Sequence, residues 1–311
     1  MKNFKIVSLL LIILFVILEV FVFNTKAVSK DTKPIISVSS FSLYDITKHI
    51  AGDSVEIVNL LPFGVDAHSF EPTPKLMAAL EKSSLVIYSG AGLEPWTKGF
   101  TFKSKVIDMS KNVTLRELGK NEHNLHAHHD AQCAHSSVDP HYWLDFKNMK
   151  IAVSIVTQEL SKILPEEKEF YKKREAEYIE MLSDLDQDYE DSLHSCRYDT
   201  IITNHNAFSY LASRYSFHVE ALSGLSPDTE PSAKEIRRIM EHIREEGVSV
   251  IFFESFVSDR VMKSIAKDLS VHVDVLQPLG NITADEAQKH LSYEKIMRSN
   301  LLKLHKALEC Q

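Results

Sequence analysis

Histidine is the residue type whose number and spacing in this chain most directly suggest chemistry. Fifteen histidines are present, and six of them fall between His123 and His141. Residues 121–137 contain five of these, no aromatic residue and one leucine, so the segment cannot build a core and is expected to be a mobile loop. Neutral imidazole binds zinc, copper, nickel and iron, which suits a low-affinity metal collector; the alternative is a solvated polar loop with incidental histidines. The collecting residues would be His123, His126, His128, His129 and His135.

Three further histidines stand next to regular elements. His68 lies between a predicted strand and a predicted helix, His141 leads into a helix, and His205 directly follows a strand. Because ligands gather beyond the carboxyl ends of strands in open α/β sheets, all three are expected at a cleft. Each alone would more often be a structural hydrogen-bond donor, but together, beside a histidine-rich loop, they predict a metal site. Asp66 and Asp139 are near enough in sequence to orient the imidazoles.

The elements that must position these histidines alternate along the chain. Strands alternating with helices predict an α/β fold with parallel sheets, and the length of 311 residues favours two lobes. The predicted strands are residues 34–39, 55–61, 85–89, 105–109, 199–203, 218–222, 248–253 and 271–276. The predicted helices are residues 43–51, 74–82, 207–215, 232–246 and 259–269, with Thr73 as a helix cap.

A long, highly charged helical region connects the two halves. It runs from about Asn148 to Leu193, and Pro165 is expected to open a new helix within it. Its apolar residues recur every three to four positions, so one side is apolar. It is either a surface helix on one lobe or a rigid strut joining both, and we favour the strut. The predicted divisions are a signal peptide at 1–27, an N-terminal lobe at 28–147, a linker at 148–194 and a C-terminal lobe at 195–311.

The N-terminus has the pattern of a secretory signal. Lys2 and Lys5 precede an apolar run over residues 6–23, and a small-residue cleavage site follows at Ala27. The alternative is an uncleaved membrane anchor, since the run approaches the ~18 residues of a spanning helix, although Glu19 disfavours it. No cysteine near this site supports a lipid anchor. Either reading places the protein in the periplasm or another extracytoplasmic space.

Charge and cysteine content narrow the class further. The net charge of −8 argues against nucleic acid as a partner. An exported chain can hold a disulfide, and three cysteines allow one bridge with one thiol left over. Because Cys133 lies in the histidine-rich segment and could bind metal, Cys196 and Cys310 are the expected pair.

Four sequence motifs resemble one known family. They are AHSFEPTP around His68, DPHYWLD around His141, NHNAFSYLASRY around His205 and PDTEPS at 227–232. From about Pro34 to the C-terminus, the chain resembles the zinc and manganese branch of metal-specific solute-binding proteins of ABC importers. A histidine-rich loop before the second motif is typical of the zinc branch.

The resemblance implies an architecture, a site and a function. It implies two α/β lobes, each a four-stranded parallel sheet flanked by helices, joined by one long rigid helix. It also implies that His68, His141 and His205 bind Zn²⁺ as the transported ligand. The protein would deliver this ion to an ABC permease with its ATPase, and we expect a monomer.

The chain departs from the family at the fourth ligand. The family has an aspartate where this sequence has Gln277, and a neutral amide is a poor zinc ligand. Water, or a nearby carboxylate such as Glu71, is therefore expected to complete the site, because zinc takes four ligands.

A site of three histidines is also compatible with functions other than transport. An exported zinc hydrolase would use three histidines and water, with Glu71, Glu230 or Glu254 as base. However, the sequence has no H-E-x-x-H motif and no nucleophile elbow, so no enzyme activity is predicted. A passive metal sink, an adhesin or a manganese-binding relative are further alternatives. Donation by histidine alone favours Zn, Cu or Ni over Mn, which prefers oxygen.

Overall fold

The alternating apolar runs and helical patterns fold into alternating strands and helices. In the computed structural model, the residues described are 33–117, 138–227, 231–255 and 260–311. The predicted signal peptide, the histidine-rich segment with Cys133, and Glu230 lie outside the described residues. All described helices and strands lie within residues 34–311.

The first half forms a parallel four-stranded sheet. Its strands are β1 (Ile35–Val38), β2 (Glu56–Asn59), β3 (Leu85–Tyr88) and β4 (Lys105–Asp108), in the order β2-β1-β3-β4. Helices α1 (Phe41–Ala51) and α2 (Pro74–Leu80) alternate with these strands. The Thr73 hydroxyl accepts a hydrogen bond from the Leu76 amide, which confirms the predicted cap. In the central strand β3, Leu85 and Ile87 are fully buried, as expected of a parallel sheet covered on both faces.

A small ribbon and two long helices lead out of this half. Strands β5 (Arg116–Glu117) and β6 (Val138–Asp139) pair antiparallel. Helix α3 (Phe146–Ile163) follows, and the chain then turns at Pro165 into helix α4 (Lys168–Leu193), which has 26 residues. Proline cannot donate within a helix interior, so a new helix starts here, as the sequence predicts.

The second half repeats the parallel design. Its strands are β7 (Thr200–His205), β8 (His218–Ser223), β9 (Val250–Phe253) and β10 (His272–Val275), in the order β10-β9-β7-β8. Its helices are α5 (Ser209–Tyr215), α6 (Ala233–Glu246), α7 (Arg260–Leu269), α8 (Ala284–Gln288) and α9 (Tyr293–Ala307). The first three of these helices agree with those predicted from the sequence, whereas α8 and α9 were not predicted.

Helix α4 bonds to both halves, as the strut interpretation requires. The Tyr178 hydroxyl donates to Asp45 of α1 at 2.7 Å, and the Tyr189 hydroxyl donates to the Met297 carbonyl of α9 at 2.8 Å. One apolar core runs from Ile36 in β1 through these helices to Phe252 in β9. The two sheets and the long helix therefore share this core, and separate smaller clusters lie around Ile239 of α6 and Leu80 of α2.

Cys196 and Cys310 form a disulfide, which confirms the predicted pairing. The bond joins the residues just after α4 to the C-terminus across a sequence separation of 114 residues. Closing so long a loop restricts the unfolded chain strongly. Among the described residues, no helix has both the length and the apolarity needed to cross a membrane.

Candidate metal centre

His205 is placed by the sheet of the second half. It is the last residue of β7, and Glu254 directly follows the neighbouring strand β9. Parallel strands end at a common edge, so these two side chains meet although they are far apart in sequence. The His205 Nδ1 bonds the Glu254 Oε1, and both residues are 2% exposed.

His141 is placed by the ribbon that precedes α3. Its Nδ1 lies 2.7 Å from the Oδ1 of Asp139, the last residue of β6, and its backbone amide donates to the same oxygen at 2.9 Å. Asp139 is itself held, because its other oxygen accepts from the Ser209 hydroxyl and its carbonyl accepts from the Tyr210 hydroxyl at 2.9 Å. Residues of both lobes therefore fix the position of His141.

His68 is placed by a loop. It lies beyond the end of β2 and before α2, where its backbone amide donates to the Asp66 Oδ1 at 3.1 Å. Its Nε2 is buried and has no hydrogen-bond partner among the described residues. A buried, unpartnered imidazole nitrogen is costly unless a ligand satisfies it.

The three imidazoles converge. One nitrogen from each lies within 4.8 Å of the others, in the single group of three or more His, Cys, Asp or Glu side chains suited to a metal among the described residues. The Nε2 atoms of His141 and His205 are 3.4 Å apart. Two nitrogens on a tetrahedral zinc ion, each bonded at about 2.0–2.1 Å, lie about 3.3 Å apart. The His141–His205 pair therefore already has the spacing of a zinc site.

The hydrogen bonds also set the ring tautomers. When Nδ1 of His141 and of His205 donates to a carboxylate, the ring proton is held there and the Nε2 lone pair is free to bind a metal. A carboxylate behind an imidazole also raises its basicity and its strength as a ligand. The predicted role of Asp139 matches this geometry, whereas Asp66 bonds the main chain of His68.

Burial and charge act differently on two of the rings. Burial, and next the neighbouring His141 and His205, hold the pKa of His68 well below its usual value of 6.5. Burial also lowers the pKa of His205, but the Glu254 carboxylate outweighs that effect and leaves this pKa above 6.5. His68 is therefore neutral at neutral pH, and on His205 protons would compete with a bound metal.

The predicted fourth-position residues occupy contrasting environments. Gln277 is 4% exposed, and its Nε2 donates to the Ser255 hydroxyl at 2.7 Å and to both oxygens of Glu286 at 3.2 Å. Its Oε1 is buried without a hydrogen-bond partner in the described part of the chain. Glu71 is exposed and does not belong to the group of converging ligand atoms.

The part that Glu254 takes in this site was not predicted from the sequence, which suggests this residue only as a hydrolytic base. Glu254 bonds His205 and also accepts a hydrogen bond from the Asn204 side-chain amide at 2.9 Å. A carboxylate already holding a ligand is poorly placed to activate water. The available signal was its position directly after a predicted strand.

Solved structures share this architecture. The chain superposes on the Zn(II)-bound ZnuA-like domain of Streptococcus pneumoniae AdcA with a TM-score of 0.74 and 28% identity, covering 89% of this chain and 99% of that one. The laminin-binding protein Lmb of Streptococcus agalactiae, described as a bifunctional adhesin and metal transporter, gives a TM-score of 0.77 and 27% identity, with coverage of 88% and 99%. Fold and site thus define a metal-binding solute-binding protein of two α/β lobes.

Sequence relatives make the assignment narrower. Residues 36–307 match the ZnuA family, zinc-uptake complex component A, periplasmic. The chain is 32% identical over 281 residues to the high-affinity zinc uptake system protein ZnuA of Bacillus subtilis (strain 168), covering 89% of this chain and 88% of that protein. It is 31% identical over 302 residues to the zinc-binding lipoprotein AdcA of Streptococcus pneumoniae, covering 96% of this chain but 60% of AdcA. The chain belongs to the ZnuA family.

Proposed function

We propose that this protein captures Zn²⁺ through His68, His141 and His205 and delivers it to an ABC permease with its ATPase. The convergence of three imidazoles, two of them with carboxylates on the far nitrogen, carries this proposal. Membership of a zinc-uptake family supports it. We propose binding and release without catalysis, because Glu254 holds a ligand and Glu71 is exposed.

The donor set favours zinc over manganese. Three nitrogen donors suit Zn²⁺, whereas Mn²⁺ prefers oxygen. Neutral histidines cancel none of the charge of the ion, so the carboxylates of Asp139 and Glu254, one hydrogen bond away, would supply the compensating negative charge. Such carboxylates typically contribute about 10–100-fold in metal affinity.

For the fourth position we propose water, with Gln277 or Glu71 as the alternatives from this chain. The Gln277 amide is held by Ser255 and Glu286, so its Oε1 has a fixed direction and a buried acceptor to satisfy. Three imidazoles with water is an established zinc arrangement. A site without a directly bound carboxylate would release its ion to the permease more easily.

We further propose the remaining predicted roles. The protein would be exported by residues 1–27, act as a monomer in an extracytoplasmic space, and collect zinc weakly through residues 121–137. The lobes would comprise residues 28–147 and 195–311, joined by 148–194. Residues of both lobes meet at His141, which supports an interlobe site.

Metal analysis of the purified protein, followed by competition between Zn²⁺ and Mn²⁺, tests the proposal. We expect one tight zinc site and no turnover of ester or peptide substrates. Deleting residues 121–137 should remove weaker additional sites and leave the tight site, because the three ordered histidines lie outside the deletion. Equal total stoichiometry with and without the segment would contradict the collector role, and tighter binding of Mn²⁺ would contradict the zinc assignment.

A further inference from the structure

A groove lies between the two linker helices, away from the three histidines. It has a volume of about 840 Å³ and is lined by residues of α3 and α4. The residues that line it include Lys150, Ile151 and Lys162 of α3 and Lys168 and Ile179 of α4. The two helices run antiparallel, so the groove follows both axes, for about 16 Å along α4 at 1.5 Å per residue.

Small side chains on α3 keep the groove open. Ser154 and Ser161 are two turns apart on the face that lines it. Val153, Val156 and Leu160 of α3 are fully buried in the core, whereas Ile151 and Ile155 line the groove. The helices are therefore joined along their buried sides and separated along this outer side.

The groove is positively charged on a negatively charged protein. Four lysines line it against one glutamate, Glu175, whereas the whole chain has a net charge of −8. Lys162 pairs with Glu159 at 2.9 Å. Within the described residues, no salt bridge joins a carboxylate to the ammonium groups of Lys150, Lys168 or Lys172, although Lys150 interacts electrostatically with Asp186 at longer range. These three cationic groups have no direct ion pair there and can face an anionic partner.

The rest of the lining is apolar, with one unsatisfied polar group. Ile151, Ile155 and Ile179 line the groove, and Ile151 is 38% exposed although it is a large apolar residue. Thr157 also lines it, is 3% exposed, and has a buried hydroxyl without a hydrogen-bond partner among the described residues. Buried polar groups normally have partners, so this hydroxyl points to a ligand that supplies one.

We propose that this groove binds an acidic amphipathic helix of a partner protein. Two antiparallel helices with a gap between them form the groove into which a third helix packs, with apolar anchors at three- and four-residue spacing. The isoleucines would receive the anchors, and Lys150, Lys168 and Lys172 would receive carboxylates on either side. A bilayer surface is flat on this scale, so it would not enter the groove and would not contact Thr157 or the isoleucines. The interaction goes beyond metal capture, since none of these residues belongs to the histidine group.

A defined peptide tests this inference on the full-length protein. The probe is a fluorescein-labelled 14-residue peptide with leucine at heptad positions a and d, glutamate at e and g and alanine elsewhere, which limits like-charge repulsion along the helix, and its scrambled sequence is the reference. Fluorescence anisotropy should show binding of the ordered peptide only. The variant K150E/K168E/K172E should bind it about tenfold more weakly or worse, because like charges oppose docking. Ser154→Trp, which fills the groove without changing charge, should weaken binding as well.

Charge-matched controls separate docking from general attraction. The variant K82E/K98E/K267E changes the net charge equally on exposed lysines outside the groove and should bind as the unaltered protein does. Zinc affinity should be the same in every variant. Equal loss in both triple variants, equal binding of the scrambled peptide, or no peptide binding would overturn the proposal. Binding to phosphatidylglycerol vesicles in place of the peptide would also overturn it.

Discussion

His205, at the end of a strand, and His68, in a loop, are held in position in different ways. His205 terminates β7, is 2% exposed, and has its far nitrogen bonded to Glu254 of the adjacent strand end. His68 lies in a loop, is less buried, and bonds Asp66 through its main chain. Its Nε2 is buried and has no hydrogen-bond partner among the described residues. Hydrogen bonding at the strand ends thus fixes the His205 ring in advance. The His68 ring has no such bond, and a metal ion would satisfy its buried nitrogen.

Removing the histidine side chains should have the largest effect on zinc affinity. We expect His205→Ala and His141→Ala to weaken zinc binding by more than about 100-fold, since even loss of a partner behind a ligand costs about 10–100-fold. His68→Ala should also abolish tight binding but leave the His141–His205 pair, so its residual affinity should be the highest of the three. Titration calorimetry, with circular dichroism to confirm folding, measures this. Unchanged tight binding in any variant would remove that histidine from the site.

Replacing the carboxylate that bonds each of these two histidines, Glu254 or Asp66, tests the comparison more finely. Glu254→Gln should weaken zinc binding about 10–100-fold, because the amide cannot hold the ring proton on Nδ1 of His205 with the same strength. Asp66→Asn should cost less, because Asp66 bonds the main chain of His68. The exposed Glu71→Gln serves as a control and should leave affinity unchanged. An effect of Glu71→Gln as large as that of Glu254→Gln would make Glu71 the fourth ligand.

Acid should weaken zinc binding through His205 before it does so through His68. A proton must leave before the metal binds, so affinity should fall as the pH drops through the pKa of His205, which lies above 6.5. His68, whose pKa is lowered, should contribute only at more acidic pH. In the metal-free protein the sign is opposite. The raised pKa of His205 stabilises the fold fully below pH 6.5, and that stabilisation is lost as the pH rises through the folded-state pKa.

Zinc titrations and urea unfolding at pH 5.5, 6.5 and 7.5 measure both trends. Glu254→Gln should shift the onset of acid weakening to lower pH, because it removes the charge that raises the pKa of His205. An identical pH profile in Glu254→Gln would show that another group controls proton competition.

The smallest expected effect is at the fourth position. Gln277→Asp should tighten zinc binding by up to about tenfold and broaden acceptance toward Mn²⁺, because a carboxylate adds an anionic oxygen. Gln277→Leu is the matched control without a donor atom. If affinity and preference are unchanged in Gln277→Asp, this residue does not face the metal, and its alignment with the family aspartate is mistaken.

Local patterns predicted much of this fold. The run from Leu85 to Tyr88 favours a strand, and its continuous apolar character fits a strand covered on both faces. Helices α8 and α9 were missed although each begins at a side-chain cap, at Thr283 and Ser292. The five residues of α8 are too few to give a helical pattern, whereas the buried apolar residues of α9 recur every three to four positions and do predict a helix.

The three histidines of the candidate site can be chosen from local patterns alone. His68, His141 and His205 each stand beside an element boundary, and such boundaries are local properties of the chain. The bonds from Glu254 to His205 and from Ser209 to Asp139 become evident only in the folded chain. The tertiary structure also decided that α3 and α4 leave a cationic groove between them. Those contacts join residues far apart in sequence, and their geometry depends on strand order and helix packing, which no local pattern encodes.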